Sequence, residues 1–361
     1  MLRIEAGALE AYLTTMFRRL GCPEGEAQAV AGHLVGASLA GHDSHGVVRA
    51  PLYVRWAQEG RTVPGQTAKT IVDAPAFAVV DGGHGFGQTM AAFATRLGVE
   101  KAKQSGVAAV ALRNSAHIGR VGAYAEEAAA EGIVSIHFVT ASGSVLVAPF
   151  GGVERRFSTA PFCVGVPRPG QKPILLDFAT SFVAEGKVLV ASLGGKRLPE
   201  GALIGPDGAL STDPYQLYGE TNTQPVREHS KGKGAIRAFG EHKGSGLALM
   251  CELIGGSLTG TGATQPAKHF ANGMFALYVD PAQVAVEEVF DADVARYVAF
   301  VKSAKPAQGV DEVLIPGEPE EQARAERRAN GLPISEDAWA SIVACARGLG
   351  ASESETPKPL R

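Results

Sequence analysis

The chain has 361 residues, of which 45% are apolar and 20% charged, the balance of an ordinary globular protein with length for one large core or two to three smaller ones. A formal net charge of -3 gives no electrostatic case for nucleic acid or for an anionic membrane. Four widely separated cysteines (Cys22, Cys163, Cys251, Cys345) form no CxxC or zinc spacing and read as small buried hydrophobes of a reducing compartment. The first residues lack the apolar core of a signal peptide, and no window reaches the roughly 18 uninterrupted apolar residues of a membrane span, so the expected location is cytoplasmic.

Residues 7–20 and 24–40 both show helical spacing. Leu9, Leu13, Met16, Phe17 and Leu20 share one face of the first helix, Gly21 ends it, and Pro23 opens the second. A third helix is expected over 47–59. A strand pair follows near 67–73 and 76–81, turning at Asp73-Ala74-Pro75, and then a helix over 88–104 closed by Gly106. From 107 the pattern is strand (107–113), helix (120–131), strand (133–139), after which glycine and proline separate short, antiparallel-type strands. Ile174-Leu175-Leu176-Asp177-Phe178 is a strand and 180–192 a helix. Residues 194–237 are weakly patterned and read as a long surface excursion. An almost uncharged helix over 243–258 is expected to be buried, and a strand lies at 273–279. Helices near 291–303, 318–330 and 335–347 close the chain. The two ends are therefore expected to form one helical domain (1–70 with 290–361), and 71–289 a central strand-rich domain.

Two polar segments carry candidate chemistry. In Gly41-His42-Asp43-Ser44-His45-Gly46-Val47-Val48-Arg49, His45 titrates near neutrality and can give or take a proton. If a helix starts near Gly46, capped by Ser44 or Asp43, His45 and Arg49 share one face, and the guanidinium can clamp a carboxylate with two parallel hydrogen bonds. A bland alternative is a solvated helix cap. In Asn114-Ser115-Ala116-His117-Ile118-Gly119-Arg120-Val121-Gly122, His117 lies where a buried strand hands over to a helix, a place that commonly carries ligands. A metal site from His42, Asp43, His45 and His117 is a further alternative, although His42 and His45 lack a third ligand nearby.

Three other motifs fail. Asp81-Gly82-Gly83-His84-Gly85-Phe86-Gly87 invites a dinucleotide-loop reading, but the third glycine is missing in either register, which leaves a glycine turn between strand and helix. There is no GxxxxGK[ST] for a P-loop, and Gly244-Ser245-Gly246 lacks the spacing of a nucleophile elbow.

Taken together, the chain resembles the malate/L-lactate/sulfolactate dehydrogenase family, a non-Rossmann group of NAD(P)-dependent 2-hydroxy acid dehydrogenases, and most closely its hydroxycarboxylate dehydrogenase branch. The resemblance runs over about residues 5–348. It is carried by the two histidine segments, Val147-Ala148-Pro149-Phe150-Gly151-Gly152, Leu176-Asp177-Phe178-Ala179-Thr180-Ser181, Glu241-His242-Lys243-Gly244-Ser245-Gly246-Leu247 and Leu314-Ile315-Pro316-Gly317-Glu318. It implies an α/β, non-Rossmann, sulfolactate-dehydrogenase-like fold: a mostly antiparallel central sheet with the helical N- and C-terminal segments packed together. It also implies a homodimer that binds NAD or NADP and a small 2-oxo or 2-hydroxy acid.

By the same resemblance His117, together with His45, exchanges the proton, and Arg49, with Ser44 and Tyr53, binds the substrate. His45 lies at the nicotinamide. Gly119, Arg120 and Val121 approach the cofactor by backbone; Asp177, Phe178, Ala179, Thr180 and Ser181 contact it; Lys243 meets a phosphate. Pro316, Gly317 and Glu318 cover the adenosine end, and Asn272 is a further cofactor contact. Structural readings stand beside these: a helix cap for Asp177, a helix start for Lys243 and Glu318, a core position for Tyr53. One departure is Ser158-Thr159-Ala160-Pro161, where many members read Gly-Thr-Asn-Pro. The implied reaction is reversible hydride transfer between NAD(P)H and a 2-oxo acid. The alternatives are reduction of a cyclic 2-imino acid, a metal-dependent hydrolase or lyase, and a non-catalytic ligand-binding protein.

Overall fold

In the computed structural model, which describes residues 1–192, 197–219, 231–285 and 289–360, the chain opens with β1 (Leu2–Ile4), α1 (Ala6–Arg19) and α2 (Glu24–Leu39). Two single 3-10 turns, Asp43–His45 and Val47–Arg49, lead into α3 (Ala50–Gln58). Then come β2 (Lys69–Ala74), β3 (Phe77–Asp81), α4 (Gly87–Ser105), β4 (Val107–Ser115), α5 (Gly122–Ala130) and β5 (Val134–Ser142). The middle continues with β6 (Val147–Ala148), β7 (Pro161–Val166), β8 (Ile174–Ala179), α6 (Glu185–Ser192), β9 (Leu203–Ile204), β10 (Leu210–Ser211), α7 (Tyr215–Tyr218) and β11 (Ala235–Arg237). It ends with α8 (His242–Met250), prolonged by a π-helical stretch Cys251–Leu258, then β12 (Ala271–Val279), α9 (Pro281–Val284), α10 (Phe290–Lys302), α11 (Glu318–Asn330), β13 (Leu332–Ile334) and α12 (Glu336–Gly348).

Seven strands form the main sheet in the order β2-β3-β4-β12-β5-β7-β8, and only the β3/β4 pair is parallel. The expected mostly antiparallel, non-Rossmann sheet is therefore observed. Strand β12 lies at its centre, between β4 and β5, with a register shift between Asn272 and Met274. That bulge places Asn272 at the end of β4, beside the His117 segment. Gly273 follows because a Cβ there would lie 2.2 Å from the Gly255 carbonyl oxygen.

Apolar side chains gather into separate clusters. One joins α1, α2 and α3 to the C-terminal segments, with Leu9, Phe17 and Leu34 packed with Leu332, Trp339 and Ile342, and β1 pairs antiparallel with β13. The two ends thus pack together, as the helical faces at each end lead one to expect. A second cluster lies between α4, α5 and the main sheet. A third, with Leu146, Val183, Leu203, Leu217 and Ile236, lies under the small sheet β10-β9-β11-β6. Much of the weakly patterned stretch 194–237 is therefore a built unit; its residues 194–196 and 220–230 lie outside the described residues. Two-residue strands are too short to show a period of two, which is why their pattern is weak.

Two local expectations change. No continuous helix starts at Gly46: that residue is extended (φ -90, ψ -155), and α3 begins only at Ala50. The helix over 243–258 is half-exposed: Leu249, Met250, Leu253 and Leu258 stand 43, 40, 44 and 63% exposed. Its lack of charge thus reflects an apolar outer face rather than burial. No helix among the described residues is long and apolar enough to cross a membrane.

Candidate active site

The fold brings the two histidine segments together. The rings of His45 and His117 stack with centroids 5.6 Å apart and planes 14° from parallel. His45 is held from its own turn, with Nδ1 3.0 Å from the Ser44 hydroxyl. Arg49 is 9% exposed, and its Nε donates to the Ser44 carbonyl at 2.6 Å. His45 and Arg49 are thus both tied to Ser44 in a folded-back turn, not carried on the expected helix. Tyr53, buried at the first turns of α3, places its hydroxyl 2.6 Å from Nδ1 of His117. Trp56 and Phe270 close over the same ring, with centroids 6.5 and 6.0 Å from it.

The segment after His117 is anchored at nearly every residue. Asn272 accepts from the Ile118 N–H (2.9 Å) through Oδ1 and donates Nδ2 to the Thr140 carbonyl (2.6 Å). The Arg120 N–H donates to His33 Nε2 at 2.9 Å. Gly119 has φ +77, and a Cβ there would lie 2.3 Å from His33 Nε2, so glycine is required twice over. Burial pulls His33 down to about 4, with Arg120 adding to the effect, so the ring stays a neutral acceptor.

Behind this segment lies a wall of buried charge. Arg120 and Arg324 both make paired hydrogen bonds to Glu126, at 2.8 and 3.0 Å and at 2.7 and 3.0 Å. Burial pushes the Glu126 carboxyl up, but its two guanidinium partners outweigh this and hold it below the usual carboxylate range. Asp177 is in mid-strand, not at a helix cap. It accepts from the Gly122 N–H at 2.8 Å and lies 3.9 Å from Arg120 Nε. Burial pushes its carboxyl above the usual carboxylate range, against the pull of His42, Arg120 and the Gly122 amide.

Helix α11 ties this wall to the first histidine segment, through His42–Glu320 (3.2 Å) and Arg327 to both oxygens of Asp43 (2.5 and 3.0 Å). His42 and Asp43 thus face α11. Among the described residues, no group of three His, Cys, Asp or Glu side chains is arranged to hold a metal ion.

The remaining candidates fall into two groups. Some face inward: Asn272 holds the His117 segment, and Thr180 Oγ1 donates to the Ala160 carbonyl (2.9 Å). Ser181 Oγ donates to the Val183 carbonyl (2.9 Å), Val121 is buried, and Phe178 packs against Phe162 and Phe239 beside Ala179 at the strand end. Others border open space: Lys243 is exposed in the first turn of α8, and the Pro316-Gly317-Glu318 turn docks on β8, the Pro316 carbonyl accepting from the Leu175 N–H at 3.0 Å. Glu318 closes that turn by accepting from the Ile315 N–H at 3.0 Å and pairs with Lys302 at 2.6 Å. Beside Gly317 lies a cavity of about 340 Å³ lined by Leu175, Arg168, Lys172, Arg324, Glu126 and Glu321, among others.

Gln88, Trp56 and Phe270 pack on His117, and His33 holds the Arg120 N–H, without having been singled out by sequence. The available signal was the glycine run before α4, which marks close backbone approach: a Cβ on Gly87 would lie 2.3 Å from the His117 carbonyl oxygen.

A family model described as malate/L-lactate dehydrogenase matches residues 4–343. Hydroxycarboxylate dehydrogenase B of Escherichia coli is 41% identical over 358 residues, 97% of this chain and 95% of that protein. The solved sulfolactate dehydrogenase of Methanocaldococcus jannaschii aligns with a TM-score of 0.84 at 30% identity, covering 99% of each chain. A Δ1-pyrroline-2-carboxylate/Δ1-piperideine-2-carboxylate reductase of Pseudomonas putida is 35% identical over 261 residues, 72% of each protein.

Proposed function

The chain belongs to the malate/L-lactate dehydrogenase family and is an oxidoreductase acting on the CH–OH group of 2-hydroxy acids, and from that premise we propose how its residues divide the work. The observation that carries the proposal is the stacked His45–His117 pair beside the buried Arg49. A nicotinamide dinucleotide, NAD or NADP, supplies the hydride when bound. The cavity beside Gly317 is a candidate for its nucleotide end: Arg168 and Lys172 offer positive charge to phosphate, Arg324 being paired with Glu126 and Glu321, and Leu175 with Pro173 offers an apolar wall.

Arg49, anchored by Nε on the Ser44 carbonyl, holds the substrate carboxylate through its guanidinium. This orients C2 of the acid toward the histidine pair. His117 meets the substrate oxygen through Nε2, because Nδ1 is engaged by Tyr53. It donates a proton there during reduction and removes one during oxidation. Trp56 and Phe270 exclude water from the ring. Tyr53, 2% exposed, acts on His117 more directly than on substrate. The homodimer that the resemblance implies would cover the apolar face of Leu249, Met250, Leu253 and Leu258.

The test is oxidation of NADH and of NADPH, followed at 340 nm, against a panel of linear 2-oxo acids and one cyclic 2-imino acid. Turnover of a linear acid is expected. Turnover of the cyclic imine alone would favour the second reading, to which the Pseudomonas putida relative points. Loss of all activity on chelation would overturn hydride transfer assisted only by protein groups. Sedimentation would check the dimer.

A further inference from the structure

Glu252, the second residue of the π-helical stretch that prolongs α8, is 3% exposed, while its neighbours Met250 and Leu253 face outward. The stretch is pressed on β5: a Cβ on Gly255 would lie 2.7 Å from the Phe138 carbonyl oxygen. Three donors from three separate segments meet the two carboxyl oxygens of Glu252. Oε1 accepts from the Ser158 N–H at 2.8 Å; Oε2 accepts from the Thr140 hydroxyl at 2.6 Å and from the Thr264 N–H at 2.8 Å. All three donors are neutral. Burying a carboxyl on neutral donors costs more than filling the space with an apolar side chain; what it adds is fixed direction.

Each donor leads to the candidate active site. The Thr140 carbonyl accepts from Asn272 Nδ2, and Asn272 Oδ1 in turn takes the Ile118 N–H beside His117. Ser158 Oγ accepts from the Ala160 N–H at 3.1 Å, and the Ala160 carbonyl takes Thr180 Oγ1. Thr264 lies in the segment that runs to Phe270, whose ring centroid is 5.1 Å from that of Trp56 and 6.0 Å from that of His117. That segment carries a left-handed alanine, Ala267 at φ +59, a conformation that persists only where surrounding contacts hold it. We infer that Glu252 is a positioning residue of the reaction: one carboxyl sets the spacing between the His117 segment, the Thr180 segment after β8 and the Phe270 segment that closes over the His117 ring. The inference rests on the roles given above to His117 and to residues 177–181.

Glu252→Gln keeps the shape but offers one accepting oxygen and one donating NH2. Donors stand on both sides, so the NH2 must oppose a backbone N–H. The bond from Ser158 is buried and that from Thr264 half-buried, so Thr264 gives way to water and the Thr140 hydroxyl turns to accept. The expected result is a loosened Phe270 segment on an intact fold. Trp56 reports it: the chain has two tryptophans, and Trp339→Phe leaves Trp56 alone. Acrylamide quenching of Trp56, without dinucleotide or substrate, is expected to rise roughly twofold in Glu252→Gln. Single-turnover hydride transfer from NADH to the fastest linear 2-oxo acid of the panel is expected to fall about tenfold, with the Kd for NADH within about twofold. Phe270→Ala should slow the same step, and Glu252→Gln added to it should slow it less than about twofold further, since both act through one ring. Thr140→Val keeps the carboxyl and removes one donor; it should move both readouts the same way, the rate by about threefold, and serves if Glu252→Gln does not fold. A Glu252→Gln protein with a lowered melting temperature but the parent's quenching and hydride-transfer rate would make the carboxyl merely structural and overturn the inference. So would full additivity with Phe270→Ala, or parent values of both readouts in Thr140→Val. Normal turnover in His117→Ala would overturn the proton-exchange assignment instead, and the quenching, which needs no ligand, would still decide whether Glu252 holds the Phe270 segment.

Discussion

The two histidine segments reach one site from opposite kinds of support. The His117 segment, at the end of β4, is held by neutral hydrogen bonds, one buried and two half-buried, to the sheet and to helices α2 and α4: Asn272 to Ile118, His33 to Arg120, Gln88 to the His117 carbonyl. The His45 segment consists of two short turns held by ion pairs near the surface, where the side chain of Asp43 is 49% exposed. Buried groups cannot exchange their partners for water, so the first segment is rigid. Exposed ion pairs can, so the second can yield. The half that carries the proposed proton donor is thus preorganised, and the half that carries the carboxylate clamp can adjust as substrate enters.

The largest effect should come from the rigid half. His117→Ala is expected to lose at least about a hundredfold in turnover while still binding dinucleotide, measured by steady-state kinetics beside a fluorescence titration. On the adjustable half, Arg49→Lys should raise KM for carboxylate substrates by roughly tenfold or more, because a point charge cannot reproduce the fork, with a smaller effect on kcat. An unchanged KM would remove the clamp from the mechanism.

Acid should act on the His33 support of the rigid half and on His137 in β5 of the main sheet. Burial lowers both His33 and His137 to about 4, below the ordinary 6.5, so the unfolded chain binds more protons in between. Stability contributed by their neutral forms is therefore present above about pH 6.5 and falls as pH drops toward 4. The slope is about 1.4 kcal/mol per pH unit for each group at its steepest. Thermal melts at stepped pH would measure it, and His33→Gln should flatten the dependence.

A pair of substitutions compares the two supports directly. Asn272→Ala strands a buried N–H and a buried carbonyl and should cost about 2–3 kcal/mol at any ionic strength. Asp43→Asn should cost under about 1 kcal/mol, and the difference should vanish near 1 M salt, by denaturant titration. Equal costs would erase the contrast. One substitution is expected to give a gain: Ala160, fully buried at φ +29, is in a backbone region that favours glycine, so Ala160→Gly should stabilise by a few tenths of a kcal/mol to about 1 kcal/mol. The asparagine that the resemblance expects there is tolerant of that region, which ties the position to backbone shape and the Thr180 contact.

Much of this protein was legible in the chain itself. The spacing of Leu9, Leu13, Met16 and Phe17 specified the buried face of α1. The apolar run before Asn114 specified β4, and Gly106 marked a backbone turn that only glycine enters easily. These are local demands, written at separations of two to four residues, and the two histidine motifs were visible for the same reason. The wrong expectation for residues 243–258 came from reading uncharged as buried, when an apolar face can equally point outward. What stands around each histidine was not legible. Tyr53 meets His117 across 64 positions, Asn272 meets Ile118 across 154 and Arg324 meets Glu126 across 198. Local patterning says which side chains leave the surface; only the closed sheet and the joining of the two ends decide which buried partners they meet there, because hydrogen-bond partners are chosen by position in space and not by spacing along the chain.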